Sequence, residues 1–168
     1  MAKVMIILGS QSDQDKAAPC METLRMLEAP FTAAVCSAHR TPDKLEEMVK
    51  AAEKAGVEVF ICMAGLAAHL AGAVAARTTR PVIGVPLTGS SLGGMDALLS
   101  TVQMPSGYPV ATMALDKAGA TNAAWLAAEM LALADSGLAG RISAARKRAS
   151  DAVAQSAMLT EAELEALD

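Results

Sequence analysis

The chain has 168 residues, of which 53% are hydrophobic and 19% are charged, and its formal net charge at pH 7 is −4. This composition excludes a disordered chain, and the length favours a single catalytic or binding domain over 1–168. The acidic balance and the 2% of aromatic residues argue against nucleic acid as a partner, because phosphates need a basic face and single strands need stacking rings. So many apolar residues with so few charges also indicate surface that is buried between copies of the chain.

The three cysteines, Cys20, Cys36 and Cys62, show neither CxxC nor Cys/His spacing. We therefore expect no metal site, and we expect reduced thiols in the core, in a reducing compartment.

One charge-free stretch, 59–76, reaches the length that marks a transmembrane helix. Gly65, His69 and Gly72 interrupt it, and it divides into a strand and a helix. The N-terminal apolar run is too short for a secretory signal. We expect no membrane association and a cytoplasmic protein.

Short apolar runs alternate with longer helical periods along the chain. They predict five strands, at 3–8, 31–36, 57–63, 81–85 and 109–114. They predict helices at 13–28, 41–55, 64–77, 95–102 and 118–134. One or two helices are expected beyond Gly140, so that 140–168 forms a C-terminal helical extension.

Strands that are apolar on both faces and alternate with helices indicate a parallel sheet covered on both sides. We predict an α/β fold, a three-layer α/β/α sandwich with a central five-stranded parallel sheet of the flavodoxin-like (Rossmann-like) type. In such folds ligands bind outside the carboxyl ends of the strands.

The loop after the first strand, Gly9-Ser10-Gln11-Ser12-Asp13, has the composition of an anion site. Free N–H groups at a helix start and two hydroxyls favour phosphate, and Asp13 suits ribose hydroxyls. The alternative is that Ser and Asp simply cap the helix. The chain contains neither GxGxxG nor GxxxxGK[ST], which disfavours dinucleotide and nucleoside triphosphate sites.

Both histidines of the chain follow predicted strands. His39 precedes Arg40, and this pair combines a proton-exchanging ring with a forked charge for phosphate or carboxylate. An exposed loop histidine beside a surface arginine is the alternative for His39, and a satisfied core histidine is the alternative for His69. No nucleophilic triad or metal-ligand spacing is visible.

Five segments together resemble the bacterial (class I) N5-carboxyaminoimidazole ribonucleotide mutase family. The resemblance runs from about Val4 to Leu133 and departs at Leu66, where the family has Gly or Met, and at Ala71, where it has Pro. The segments are Gly9-Ser10-Gln11-Ser12-Asp13, Ser37-Ala38-His39-Arg40-Thr41-Pro42, Ala67-Ala68-His69-Leu70, Val102-Gln103-Met104-Pro105-Ser106-Gly107 and Ala118-Gly119-Ala120.

The resemblance implies an isomerase of purine biosynthesis without metal or organic cofactor. Its reaction releases CO2 from the N5 carbamate and attaches it to ring carbon 4, with His39 as general acid/base. The resemblance also implies a homo-octamer, and it leaves open which subunit completes the site. The substrate-binding residues that it implies are Ser10, Ser12, Asp13, Ser37, Ala38, Arg40, Gly65, Ala67, His69 and Leu70.

Two other functions stay open from the sequence. One is direct carboxylation of aminoimidazole ribonucleotide by CO2. The other is a non-catalytic, flavodoxin-like module that binds a phosphoribosyl ligand, although the scarcity of aromatic rings disfavours a flavin carrier.

Overall fold

The sheet has five parallel strands in the order β2-β1-β3-β4-β5. The computed structural model describes residues 1–155 of the chain. In register, Leu8 lies beside Val35 on one side and beside Met63 on the other, so three strands end at one edge. This order confirms the predicted flavodoxin-like fold. The strands are β1 (Val4–Leu8), β2 (Phe31–Val35), β3 (Val59–Gly65), β4 (Val82–Leu87) and β5 (Ala111–Thr112).

Helices cover the sheet from both sides. They are α1 (Gln14–Met26), α2 (Pro42–Lys54), α3 (Leu70–Ala75), α4 (Met95–Val102), α5 (Asp116–Ala132) and α6 (Ser136–Gln155). Helices α1, α5 and α6 share one core with side chains such as Ile6, Ile61 and Ile83. Helices α2 and α3 share a second core with Ile7 and Phe60 on the opposite face. The alternation of side chains along each strand produces these two layers.

Helix α5 begins very close to the end of β5. A Cβ placed on Gly119, in the first turn of α5, would lie 1.7 Å from the carbonyl oxygen of Ala114. Only glycine fits this approach, which brings the start of α5 to the carboxyl edge of the sheet.

The structure differs from the predicted elements in several bounds, and the strand expected at 109–114 shortens to β5 (Ala111–Thr112). The helix expected at 13–28 begins instead with a 3-10 turn, Gln11–Asp13, and the helix expected at 64–77 shortens to Leu70–Ala75 because β3 continues to Gly65. Strand β2 is an edge strand, and it is partly exposed rather than buried on both faces. The last helix begins at Ser136, before the expected position.

The first half of α6 belongs to the core. Leu138, Ile142 and Ala145 are buried, and the Nε of Arg141 donates to the carbonyl of Leu27 at 2.8 Å. The remainder of the predicted C-terminal extension, 156–168, lies outside the described residues.

All three cysteines are free and buried. Burial raises the pKa of Cys20 to about 12 and raises the pKa of Cys62 still further, because a buried thiolate loses its hydration. Within 1–155, no helix is long and apolar enough to cross a membrane.

Candidate active site

The loops after β1, β2, β3 and β4 meet around an open cleft of about 500 Å³ at the carboxyl edge of the sheet. All eleven residues predicted from the sequence line it, namely Ser10, Ser12, Asp13, Ser37, Ala38, His39, Arg40, Gly65, Ala67, His69 and Leu70. Thr88 and Gly89 close the side formed by the loop after β4. The placement brings the candidate residues together, and their individual roles stay predictions.

The loop after β1 caps a short turn and leaves donors facing the cleft. The Oγ of Ser10 accepts from the Ser12 backbone N–H at 3.4 Å and from the Ser12 hydroxyl at 2.9 Å. The Ser10 hydroxyl hydrogen is therefore left to donate to a ligand. The loop therefore caps the turn, and capping does not exclude anion binding, which stays a prediction.

The carboxyl of Asp13 lies half-buried behind this turn. Burial raises its pKa, and it outweighs the opposing effects of the Ser10 hydrogen bond, the Lys16 charge and the Ser12 hydroxyl. A carboxylate that has lost part of its hydration through burial is suited to accept hydrogen bonds from ligand hydroxyls.

The turn that carries His39 and Arg40 is held by Ser37. The Oγ of Ser37 accepts from the Arg40 N–H at 3.2 Å, and its carbonyl accepts from the Thr41 N–H at 2.9 Å. Arg40 is exposed, and within 1–155 no carboxylate lies within 4.0 Å of its guanidinium. Its charge is available to an anionic ligand.

The two histidines contact each other across the cleft. The Nε2 of His39 lies 2.9 Å from the Nδ1 of His69, and the rings meet edge to face with centroids 5.1 Å apart. His69 is exposed at the cleft, so the core-histidine alternative is wrong. The sequence predicts both rings at one edge of the sheet, but it does not predict their direct contact.

Leu66 departs from ordinary backbone geometry. Its φ is 55°, in the left-handed region that glycine adopts without cost, and 60% of its surface is exposed.

A charged cluster beneath the loop after β4 was also missed. Lys16 Nζ lies 2.8 Å from Asp116 Oδ1 and 2.8 Å from the Oγ1 of Thr88, and it also donates to the Thr88 carbonyl. Lys16 and Asp116 are 100 positions apart, and no local pattern links them.

Comparison with known proteins gives consistent results. A family model for AIR carboxylase (AIRC) matches 3–152. N5-carboxyaminoimidazole ribonucleotide mutases are similar to this chain, with 50% identity in Brucella melitensis, 48% in Escherichia coli K12 and 47% in Bacillus subtilis. These matches cover 90–91% of this chain and 90–94% of the relatives. The crystal structure of Treponema denticola PurE is similar with a TM-score of 0.81 and 26% identity, covering 90% of this chain and 94% of that one.

A parallel sheet of this order, with an anion-type loop and a histidine pair at its carboxyl edge, defines a flavodoxin-like enzyme domain. The chain belongs to the AIR carboxylase family. The family predicted from the sequence is thereby confirmed, and so is the prediction of an isomerase of purine biosynthesis.

Proposed function

We propose that this chain converts N5-carboxyaminoimidazole ribonucleotide to 4-carboxy-5-aminoimidazole ribonucleotide, with His39 as the general acid/base. The observation that supports this role is the 2.9 Å contact between the His39 and His69 rings, inside the cleft that also holds the Ser10–Asp13 loop. The substrate is the one named for the mutases to which the chain is similar.

The reaction needs a confined space and one proton carrier. The carbamate C–N bond breaks, and CO2 leaves while the exocyclic nitrogen takes up a proton from His39, which acts here as the general acid. The enamine-like ring carbon 4 then attacks CO2, and the proton that carbon 4 loses passes to His39. Since the ring is itself the nucleophile, no activated enzyme nucleophile is required, and holding CO2 beside the ring supplies much of the rate.

The cleft offers a matching set of binding groups. Ser10, Ser12 and Arg40 bind the phosphate, and Asp13 accepts from the ribose hydroxyls. The remaining candidates form the walls around the base and CO2, and they are Ser37, Ala38, Gly65, Ala67, His69 and Leu70.

Self-association is the second part of this proposal. Met95, Leu99 and Val102 lie on one face of α4 and are 55%, 49% and 48% exposed. Spacings of four and three residues make these side chains a single apolar stripe. Such a stripe supports burial against another copy. The proposal of a homo-octamer rests on the resemblance to the mutase family.

The free thiols support a cytoplasmic location.

The deciding experiment supplies two substrates separately. The wild type and His39→Asn each receive N5-carboxyaminoimidazole ribonucleotide in one assay. In a second assay they receive aminoimidazole ribonucleotide together with bicarbonate. We expect rapid conversion of the carbamate only, and we expect His39→Asn to bind it while conversion falls by at least about 100-fold. Faster use of aminoimidazole ribonucleotide with bicarbonate would establish the direct carboxylase instead. Binding without turnover of either substrate would establish the binding module.

A further inference from the structure

The charged cluster formed by Lys16, Thr88 and Asp116 ties together three elements that meet below the cleft. Lys16 lies in the first turns of α1, Thr88 follows β4, and Asp116 opens α5. The Asp116 carboxylate also accepts from the Thr88 backbone N–H at 2.9 Å and from the Thr88 hydroxyl. Although burial raises the pKa of Asp116, hydrogen bonds from Lys16 and Thr88 hold it below its usual value. The Asp116 carboxyl is therefore ionised at neutral pH.

This cluster fixes the peptide that joins Thr88 to Gly89. The Thr88 N–H is bound by Asp116 and the Thr88 carbonyl by Lys16, so both polar groups of this residue's backbone are held. In a trans peptide the carbonyl of one residue and the N–H of the next point in opposite directions. The chain has no cis peptide among 1–155. The Gly89 N–H consequently points away from Lys16.

The histidines lie in loops that lead into helices on the opposite face of the sheet from Lys16. Helices α1 and α5, which carry Lys16 and Asp116, pack on one face of the sheet. His39 and His69 precede α2 and α3, which pack on the opposite face. Gly89 lines the cleft, has no side chain to screen its amide, and makes no backbone hydrogen bond through its N–H within the part of the chain described.

We propose that Lys16 and Asp116 are positioning residues, which hold the Thr88–Gly89 peptide so that the Gly89 N–H donates to an anionic oxygen of the bound ribonucleotide. This inference rests on the proposed function and adds a donor on the β4 side of the site. The anionic oxygen belongs either to the migrating carboxyl group or to the phosphate. A donor fixed before the substrate binds loses no energy to reorganisation.

The test measures ligand affinity in variants of the cluster by calorimetry. The ligands are 4-carboxy-5-aminoimidazole ribonucleotide and aminoimidazole ribonucleotide, which differ by the carboxyl group. Lys16→Met removes the charge, Asp116→Asn weakens the acceptor while tolerating the φ of 50° at this position, and Lys16→Arg keeps both charge and donors. Lys147→Met is the matched control, because Lys147 forms an exposed ion pair with Asp151 away from the cleft.

We expect Lys16→Met and Asp116→Asn to lose about tenfold in affinity, the effect of one hydrogen bond to a charged group. Loss confined to the carboxylated ligand assigns the donor to the carboxyl group and predicts a fall in kcat. Equal loss for both ligands assigns it to the phosphate and predicts a rise in KM with kcat retained. In both cases Lys16→Arg and Lys147→Met keep wild-type affinity.

Two results would overturn the inference. One is unchanged affinity for both ligands in Lys16→Met despite a lower melting temperature, which would make the cluster purely structural. The other is an equal loss in Lys16→Met and Lys16→Arg. Failure of the proposed function is separate, since it would appear in the wild type as binding of these ligands without isomerisation or as no binding.

Discussion

The Nε2 of His39 and the Nδ1 of His69 lie 2.9 Å apart, although the two residues belong to loops after different strands. One ring nitrogen must donate and the other must accept, so the tautomer of one ring determines the tautomer of the other. The contact thereby couples the choice of protonated nitrogen in His39 to that in His69.

Substitution of His69 is expected to reduce the rate without abolishing it. In His69→Asn we expect kcat to fall about tenfold, whereas His39→Asn loses at least about 100-fold, because in the proposed mechanism only His39 exchanges the proton with ring carbon 4. Steady-state kinetics of the two variants with the carbamate substrate checks this. Equal losses of kcat in the two variants would mean that the two rings act as one unit. A larger loss in His69→Asn would mean that His69, rather than His39, exchanges the proton with ring carbon 4.

Replacing Leu66 with glycine is expected to stabilise the protein. The left-handed conformation costs a residue with a Cβ about 1–2 kcal/mol, while the added chain entropy of glycine costs about 0.5–1 kcal/mol. Since the Leu66 side chain is mostly exposed, we expect a net gain of about 0.5 kcal/mol in the free energy of unfolding. Urea denaturation measures it. Leu66→Ala is the control, because it keeps the Cβ and should give no gain.

We expect Asp13 to lower the free energy of unfolding at neutral pH while it contributes to ligand binding. Burial raises its folded-state pKa, so the folded protein holds this proton more tightly than the unfolded chain. Tighter binding of this proton adds to the free energy of unfolding, fully so below the unfolded pKa of about 3.9. This gain is lost as the pH rises through the folded pKa.

In Asp13→Asn we therefore expect a higher free energy of unfolding at pH 7 than in the wild type, with the difference shrinking near pH 3. The KM should rise about tenfold with the loss of a charged acceptor. Urea titrations at both pH values provide the measurement. Asp15→Asn, on an exposed position of the same helix start, should not stabilise the protein, and a similar gain there would refute the burial argument.

A charge on the apolar stripe of α4 is expected to break the assembly. Leu99→Glu would place a carboxylate at the centre of the face that also carries Met95 and Val102, and burial of an unpaired charge is unfavourable. Light scattering should show a smaller particle than the wild type. An unchanged mass would remove α4 from the interface, and Val153→Glu, on the exposed end of α6, serves as the control.

Strand order predicted part of the cleft, because a parallel sheet brings the carboxyl ends of its strands to one edge, whereas the resemblance to the mutase family implied the full set of binding residues. Ser10, His39 and His69 each follow a strand, and the strand spacing alone placed them together. The exposure of β2 was not predictable from Phe31–Val35 itself, because an apolar strand at the edge of a sheet has the same local pattern as a central one.

Local sequence patterns also do not predict which side chains contact each other in the fold. Lys16 meets Asp116 only because α1 packs against α5, and that packing depends on the whole core. The 2.9 Å contact between the histidine rings depends on the path of two loops, which residue type does not determine.

The burial of Cys20, Cys36 and Cys62 has a practical consequence. Alkylating agents and mild oxidants attack thiolates that solvent reaches, and the folded domain offers them no such target among its cysteines. Catalysis by this enzyme should persist through oxidative stress that inactivates enzymes with exposed thiolates. Incorporation of a maleimide into the protein would then measure how often the domain opens.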